Sequence, residues 1–282
     1  MASKMKEQWD EIARDNAFYG VVSLDDFEER DLVDIGQFWS LGSKEVQMIM
    51  DDLALGNTRE WHMLEIGCGL GRMTHCFSEH FAKVYAVDVS SEMLDQAKAH
   101  WEHLHNVEWI LGNGENFDSI GDESMDFVFS FQVFQHVPSP QAVLNNVRET
   151  ARVLKKGGIA FLHFRTFPQG MDMLAIRYRI TRAWPAPIVK VMRRVWDLAK
   201  GNTTKAAKLN REYECWRGCA LEQSVIESTS REYQLQILRR GSYAKGVASR
   251  WSTYFVFQKT AGGPGNVRNS KISHGISPNG DK

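Results

Sequence analysis

The spacing of apolar positions changes along this chain. Between residues 44 and 55, Val46, Ile49, Met50 and Leu53 recur at the three- and four-residue intervals of one helix face. From residue 62 onwards, short apolar runs alternate with amphipathic stretches, and the first run ends in the glycine-rich residues 67–71. Short apolar runs bounded by turn residues are typical of buried strands, so the pattern predicts a β-loop-α-β unit at this point.

The alternation continues to residue 164. It predicts strands over residues 62–66, 84–87, 107–111, 127–130 and 159–164, and helices over residues 5–14, 44–55, 73–81, 91–103 and 141–154. Ser90 or Ser91 is expected to cap the fourth helix, and the lysines and glycines of residues 155–158 to close the fifth. Strands that alternate with helices at this spacing favour a parallel sheet covered by helices on both faces.

The pattern changes again after residue 164. Residues 165–220 contain no clear strand, and a helix over residues 221–229 precedes strands at 233–238 and 253–258. No long helix separates these last two strands, which favours an antiparallel pair at one edge of the sheet. The predicted fold is α/β: a doubly wound, Rossmann-like, mostly parallel seven-stranded sheet with an antiparallel final strand. The predicted divisions are a helical N-terminal cap (1–60), a main domain (61–260) with a helical insert (165–220), and a disordered tail (261–282).

Composition excludes the extreme classes. The 282 residues are 43% hydrophobic and 24% charged, with 34 basic against 35 acidic side chains, which argues against wholesale disorder, a collagen-like chain or a polycation. Four cysteines are too few for a disulfide scaffold and favour a reducing compartment. The charged N-terminus lacks the apolar core of a signal peptide, and no run is apolar enough to span a bilayer. We therefore expect a cytoplasmic protein.

The glycine-rich segment indicates a nucleotide-type ligand. Glycines at 67, 69 and 71 allow a tight turn and a close approach of a ligand to the backbone. Asp88 ends the second predicted strand, where an acid can accept hydrogen bonds from both hydroxyls of a ribose. A bare Gly-x-Gly also occurs in plain tight loops, but the strand, helix and acid around it favour binding. A dinucleotide fingerprint would need a glycine at position 72, which is Arg72.

Five segments in unbroken order carry a family resemblance. They are residues 65–71 (EIGCGLG), 84–93 (VYAVDVSSEM), 111–115 (LGNGE), 126–130 (DFVFS) and 154–159 (LKKGGI). This set resembles the class I S-adenosylmethionine-dependent methyltransferases of the small-molecule type, over roughly residues 60–164. The resemblance implies that S-adenosyl-L-methionine is the cofactor.

Carried over residue by residue, the resemblance implies a set of cofactor contacts: Glu65, Gly67, Cys68, Gly69, Gly71, Arg72, Asp88, Val89, Met93, Asn113, Gly114, Glu115, Ser130, Phe131 and Gln132. Residues 67–71 would line the methionine part and Asp88 the ribose, while residues 130–132 would border the transferable methyl group. Met93 would either pack on the adenine face or serve as an ordinary core methionine. Asn113 stands where the family has an aspartate for the adenine amino group. Arg72 would either pair with the cofactor carboxylate or begin its helix as a solvated side chain.

Two histidines are candidates for proton transfer. Methyl transfer from a sulfonium needs donor and nucleophile in line, and a hydroxyl acceptor must also lose its proton. His136, after the fourth strand, is either this general base or a packing residue; His163 lies inside an apolar strand, which favours a satisfied core histidine. Cys215 and Cys219 lack the partners of a zinc site, so no metal is expected.

The near-zero net charge is a cancellation. Residues 1–60 carry 6 basic and 14 acidic side chains, whereas residues 165–220 carry 12 basic and 4 acidic ones. A basic amphipathic helix over residues 188–200 would bind an anionic acceptor, contact an anionic membrane as a peripheral protein, or form a lid whose cations face the acidic cap.

These observations predict a methyltransferase that acts on an oxygen or nitrogen of a polar small-molecule acceptor, such as a saccharide or natural product. One alternative is an RNA methyltransferase, which the basic insert favours but which lacks a recognisable RNA-binding module. Another is a non-catalytic subunit that binds S-adenosylmethionine. DNA is not an expected partner.

Overall fold

A seven-stranded sheet organises the part of the chain that the computed structural model describes, which is residues 2–22, 33–167, 188, 209, 212–243 and 251–261. Its strands are β1 (His62–Ile66), β2 (Lys83–Asp88), β3 (Val107–Leu111), β4 (Met125–Ser130), β5 (Leu154–Arg165), β6 (Leu235–Gly241) and β7 (Ser252–Lys259). The order across the sheet is β3-β2-β1-β4-β5-β7-β6. Strands β1 to β5 are parallel, and β7 runs antiparallel to both β5 and β6. The predicted fold class is confirmed.

The strand order determines where a ligand can bind. Strand β1 pairs with β2 on one side and with β4 on the other, and all three run in the same direction. The chain therefore leaves β1 towards one edge and later returns to its opposite side, which opens a crevice beyond the carboxyl ends of β1 and β4.

Helices cover both faces of the sheet. They are α1 (Ala2–Val22), α2 (Ile35–Leu53), α3 (Thr74–His80), α4 (Ser91–His100), α5 (Pro140–Val153), α6 (Glu214–Arg217) and α7 (Gln223–Glu232), with a 3-10 turn at Phe134–His136. Helix α1 is interrupted at Asn16, whose φ and ψ are −161° and 92°. Ser90, the first of the two predicted caps, accepts a hydrogen bond from the backbone N–H of Met93.

The core lies on the two faces of the sheet. In β4, Val128 belongs to one buried cluster while Phe127 and Phe129 belong to the other, because successive side chains of a strand point to opposite faces. Full burial of one such side chain stabilises the fold by about 1.5–3 kcal/mol. Met5 and Phe38 of the predicted N-terminal cap are buried in the same cluster as Val128, so α1 and α2 contribute to the core of the fold.

The predicted end of α5 is wrong. The helix ends at Val153, Leu154 is already extended, and residues 155–158 belong to β5. The Lys155 Nζ donates to both carboxylate oxygens of Asp126, at 2.9 and 2.8 Å, so this lysine ties β5 to β4 and does not neutralise a helix terminus. Helix α2 begins nine residues earlier than predicted, because the Asp34 side chain accepts from the N–H of Gln37 and caps it there.

Several predictions fall outside the described residues. These are most of the insert, including the amphipathic helix at 188–200 apart from Ile188, and the tail from residue 262 onwards. Within the described ranges, no helix combines the length and apolarity needed to cross a bilayer. The division of the chain into cap, domain, insert and tail stays a prediction.

Candidate active site

The glycine-rich loop turns immediately after β1. Gly67, Gly69 and Gly71 have φ values of +76°, +53° and +77°, which L-amino acids with a side chain rarely adopt. A Cβ at Gly67 would lie 2.4 Å from the Val133 Cγ2, so the loop also packs directly against the segment after β4. The backbone N–H groups of Gly67 and Cys68 both donate to the Val87 carbonyl, at 2.7 and 3.1 Å. The loop is therefore held at the end of β2.

Asp88 lies at that end of β2, beside the loop. Its Oδ2 accepts from the N–H of Gly69 at 2.8 Å, and its Oδ1 accepts from the N–H of Ser90 at 2.9 Å. Burial raises the pKa of the Asp88 carboxyl, and these backbone N–H groups oppose that rise. Each carboxylate oxygen can accept more than one hydrogen bond, so both stay available to hydroxyl donors of a ligand.

Glu65 and Arg72 form a buried polar pair of side chains next to the loop. Glu65 is 4% exposed and accepts from the Thr74 Oγ1 at 2.6 Å. Burial raises the Glu65 pKa to about 7, although the hydrogen bond from Thr74 and the charge of Arg72 oppose the rise. Arg72 is 7% exposed, and its guanidinium lies 2.6 Å from the Glu45 carboxylate of α2. The alternative of a solvated Arg72 is therefore wrong.

A cavity that is partly open to solvent extends from this loop along the ends of β1, β2 and β4. The predicted site residues in its wall are Glu65, Gly67, Cys68, Gly69, Arg72, Asp88, Val89, Met93, Gly114, Phe131, Gln132 and His136. Met93 is buried in the core and also lines the cavity, so its two predicted roles are compatible.

Four predicted residues do not line the cavity. Gly71 lies under Trp109, and the buried Ser130 Oγ donates to the Ile66 carbonyl at 3.3 Å. Asn113 is exposed, and its Oδ1 accepts from the N–H groups of Glu115 and Asn116, at 2.8 and 3.0 Å. Glu115 is exposed on the same turn. The geometry gives no support to these four as direct cofactor contacts, because their polar groups serve local structure or face solvent.

Helix α1 contributes a wall that the sequence reasoning missed. Met5, Trp9, Gly20 and Val21 line the cavity. Asp10, on the same helix, is buried and accepts from the Ser90 Oγ at 2.6 Å, which fixes α1 to the start of α4. The sequence signal was the helical spacing of Met5, Trp9 and the residues that follow, but spacing alone does not say which surface a helix covers.

His136 lines the cavity from the 3-10 turn after β4. Its ring centroid is 5.5 Å from the rings of both Trp9 and Trp216. The Nδ1 atom is buried and has no hydrogen-bond partner among the described residues. Burial lowers the His136 pKa to about 4, and the charge of Arg165 acts in the same direction. The imidazole is therefore neutral at pH 7. Its Nε2 accepts from the Gln135 Nε2 at 3.1 Å, so the ring proton lies on Nδ1, and a further proton can be taken up only at Nε2 in place of this hydrogen bond.

His163 is a satisfied core histidine, as expected. Its Nδ1 accepts from the backbone N–H of Gln132 at 3.2 Å, so the ring proton lies on Nε2, which is 2.7 Å from the Ser252 Oγ. Gln132 has a φ of +59°, a conformation that costs about 1 kcal/mol or more for a residue with a side chain. His163 therefore holds the turn that carries Phe131 and Gln132 to the cavity.

The parallel sheet of this strand order, the glycine loop after β1 and the acid at the end of β2 together define the class I methyltransferase fold with a site for a nucleoside-containing cofactor. Comparison with known proteins agrees. Residues 64–162 match the family model of a methyltransferase domain.

Two curated relatives and one solved structure illustrate the match. A thiol S-methyltransferase of Rattus norvegicus is 34% identical over 133 residues, which cover 46% of this chain and 53% of the relative. A ubiquinone biosynthesis O-methyltransferase of Coxiella burnetii is 29% identical over 108 residues, which cover 36% of this chain and 42% of the relative. The chain thus spans about half, or less, of the length of these relatives.

The solved structure is the magnesium protoporphyrin IX methyltransferase of Synechocystis PCC 6803 with bound S-adenosylhomocysteine. It superposes with a TM-score of 0.58 at 14% identity, over 90% of this chain and 98% of that one, which shows a shared fold. The chain therefore contains a segment that matches a methyltransferase domain, on a fold shared with a methyltransferase that binds S-adenosylhomocysteine.

Proposed function

We propose that this protein transfers the methyl group of S-adenosylmethionine to a protic oxygen, nitrogen or sulfur atom of an uncharged small molecule with an apolar body. One observation carries the proposal. The glycine loop, Asp88, Trp9, Phe131 and His136 all line a single cavity. Such a cavity can hold a nucleoside cofactor and a second small molecule next to it.

The cofactor end fits S-adenosylmethionine. Asp88 offers two acceptor oxygens for ribose hydroxyls, and the loop of residues 67–71 presents backbone without a Cβ at its glycines. Arg72 is the one cation in the described wall and suits a carboxylate. When bound, the cofactor supplies a methyl group on a positively charged sulfur that is already activated for in-line displacement.

The acceptor end of the cavity favours an uncharged, apolar molecule. Within the described wall, the charged side chains are Glu65, Arg72 and Asp88, and all three belong to the cofactor loop or lie beside it. Trp9, Phe131 and further apolar side chains line the rest of the described wall. A charged acceptor would lose hydration there without gaining a partner. The expectation of an anionic acceptor depends on the basic insert, most of which lies outside the described residues.

His136 accepts the proton that the acceptor loses. Its neutral imidazole lies in the cavity wall next to Trp9. Because the pKa is about 4, the ring is a weak base that is unprotonated over the whole neutral range. The Trp9 and Trp216 rings exclude water from it and hold its plane.

The curated relatives support a small-molecule acceptor. Their names describe methyl transfer to a thiol in the rat protein and O-methylation in ubiquinone biosynthesis in the Coxiella protein. Both atoms are protic nucleophiles. Sulfur thus joins oxygen and nitrogen as a candidate, and the apolar wall favours a natural product over a saccharide.

Calorimetry with S-adenosylhomocysteine tests the cofactor end. We expect Asp88→Ala to weaken binding about 100-fold, because hydrogen bonds to a charged group contribute about 1.5–3 kcal/mol. Asp118→Ala, at an exposed position of the same domain, is the matched control and should bind like the wild type. Wild-type affinity in a folded Asp88→Ala variant, checked by thermal unfolding, would contradict the assignment.

Transfer of a tritiated methyl group to a panel of acceptors tests the reaction. The panel is an apolar phenol, an alkyl thiol, an alkyl amine, a saccharide and total RNA. We expect label in the phenol, thiol or amine. Label in the saccharide alone would overturn the apolar acceptor, label in RNA alone would favour an RNA methyltransferase, and cofactor binding without any transfer would favour a non-catalytic subunit.

A further inference from the structure

The cavity continues past Asp88 into an apolar slot. The backbone N–H of Gly112 donates to the Asp88 carbonyl at 2.8 Å, which brings the loop after β3 beside the ribose site. A Cβ at Gly114 would lie 3.1 Å from the Val89 Cγ1, so these two residues are neighbours. Val89, Met93, Gly114, Phe117 and Val137 all line the cavity here. If Asp88 holds the ribose, the attached base must enter this slot, so the inference rests on the proposed function.

One polar side chain lies in the described wall of this slot. Asn146, on α5, is 2% exposed and lines the cavity. Its Nδ2 donates to the carbonyl of Gly114 at 2.9 Å and to that of Ala142 at 2.7 Å. Two carbonyl partners use both amide hydrogens and establish which end of the amide is the nitrogen.

The other end of this amide is an oxygen, which can only accept a hydrogen bond. Among the hydrogen bonds of the described residues, none reaches the Asn146 Oδ1. A polar atom left unpaired in an apolar slot is costly, so a ligand that brings a donor gains from satisfying it. Asn113, which stands at the position expected from the family pattern, has its own Oδ1 occupied by the N–H groups of its turn.

We propose that the Asn146 Oδ1 accepts a hydrogen bond from the exocyclic amino group of the cofactor's adenine. This contact makes Asn146 the residue that distinguishes an adenosine cofactor from its deaminated, inosine counterpart. An inosine base would place a carbonyl oxygen against the amide oxygen, and neither atom can donate. The donor bonds of Nδ2 serve the same end, because they hold the oxygen towards the slot.

The test compares the calorimetric affinities of S-adenosylhomocysteine and S-inosylhomocysteine. We expect the wild type to prefer the adenosyl compound by about tenfold or more, the usual effect of one buried hydrogen bond. In Asn146→Leu, which has similar volume, the preference should fall to less than about threefold even if both affinities decrease, since a purely structural defect would weaken both ligands alike. Asn113→Ala is the control and should keep the wild-type preference.

A second measurement does not depend on the variant folding. A third ligand is the S-adenosylhomocysteine analogue in which the exocyclic amino group of the purine is replaced by hydrogen. It should bind the wild-type protein about tenfold more weakly than S-adenosylhomocysteine. Equal binding of the two, an unchanged preference in Asn146→Leu, or a preference lost only in Asn113→Ala would each overturn the role of Asn146. Wild-type protein that binds none of these ligands would instead overturn the proposed function.

Discussion

Burial lowers the pKa of both histidines near the end of β4 to about 4, yet leaves them with different chemistry. His163 uses Nδ1 and Nε2 in hydrogen bonds to Gln132 and Ser252. His136 has one such partner, since its Nε2 accepts from the Gln135 Nε2 at 3.1 Å while its Nδ1 has none among the described residues, and its ring lines the cavity. At the scale of single residues, the hydrogen-bond partners and not the pKa separate a structural histidine from a candidate base.

Replacement of His136 tests this difference. We expect His136→Gln to lower kcat for a phenol by about 10²–10⁴-fold, the usual contribution of a general base, and to leave the affinity for S-adenosylhomocysteine within twofold. The wild-type rate should stay level as pH falls from 8 to 5 and decline towards pH 4, because only the unprotonated ring accepts a proton. This decline should be absent in the variant.

The acceptor provides the control for that experiment. A thiol ionises more readily than a phenol at neutral pH and needs less help from a base, so the loss of rate should be smaller with a thiol. Equal losses for both acceptors would indicate that His136 shapes the wall and does not take a proton.

At the scale of elements, helix α6 connects α1 to the turn that carries His136. The start of α6 contacts α1, since the N–H of Cys215 donates to the Gln8 Oε1 at 3.1 Å and the Lys4 Nζ lies 2.9 Å from the Glu214 carboxylate. The end of α6 abuts the turn at Phe134–His136. There a Cβ on Gly218 would lie 1.7 Å from the Gln135 carbonyl oxygen. Helix α6 therefore positions the turn that carries His136.

A methyl group at Gly218 should separate these segments. We expect Gly218→Ala to lower kcat/KM for the acceptor by about tenfold or more, because displacements of about 1 Å can cost 10²-fold in rate. Binding of S-adenosylhomocysteine should change little. Gly157→Ala is the matched control, because Gly157 also has a positive φ, +82°, but a Cβ there would have nothing within 4 Å. If both variants lose the same activity, general backbone strain explains the loss and α6 does not position His136.

The elements also show which patterns were predictable. The strands His62–Ile66 and Val107–Leu111 have the predicted bounds, because an apolar run between turn residues is a local signal. The predicted end of α5 is misplaced. A lysine at position 155 is favourable near a helix C-terminus, but in the structure Lys155 forms a salt bridge to Asp126 of β4. Which of these two interactions Lys155 makes depends on the register between β4 and β5.

At the scale of the whole molecule, the buried carboxyl of Glu65 couples stability to pH. Its folded pKa of about 7 exceeds the ordinary value of 4.5. A raised folded pKa means that this group contributes stability below pH 4.5 and that the contribution disappears as pH rises through 7. His136 and His163 act in the opposite sense, since the native state must exclude a proton from them below pH 6.5.

Glu65→Gln isolates the first of these effects. The amide still accepts from Thr74 but cannot ionise, so the variant should gain about 2 kcal/mol in free energy of unfolding relative to the wild type between pH 5 and pH 8. Urea denaturation at several pH values measures the difference. Glu115→Gln, at an exposed position, should show a difference independent of pH. A pH-independent difference for Glu65→Gln as well would show that Glu65 is ionised in the native state at pH 5.

Local sequence was enough to specify the succession of strands and helices, the glycine loop and the place of Asp88. Each of these depends on neighbours within a few residues: an apolar period, a backbone conformation open to glycine, or an acid at the end of a strand. Tertiary packing was needed to establish that α1 lines the cavity, that α6 packs against the turn of His136, and that Asn146, not Asn113, carries an acceptor oxygen with no donor among the described residues. The hydrophobic effect is non-directional. A helix face with periodic apolar residues therefore shows that the helix is buried but not which surface it covers.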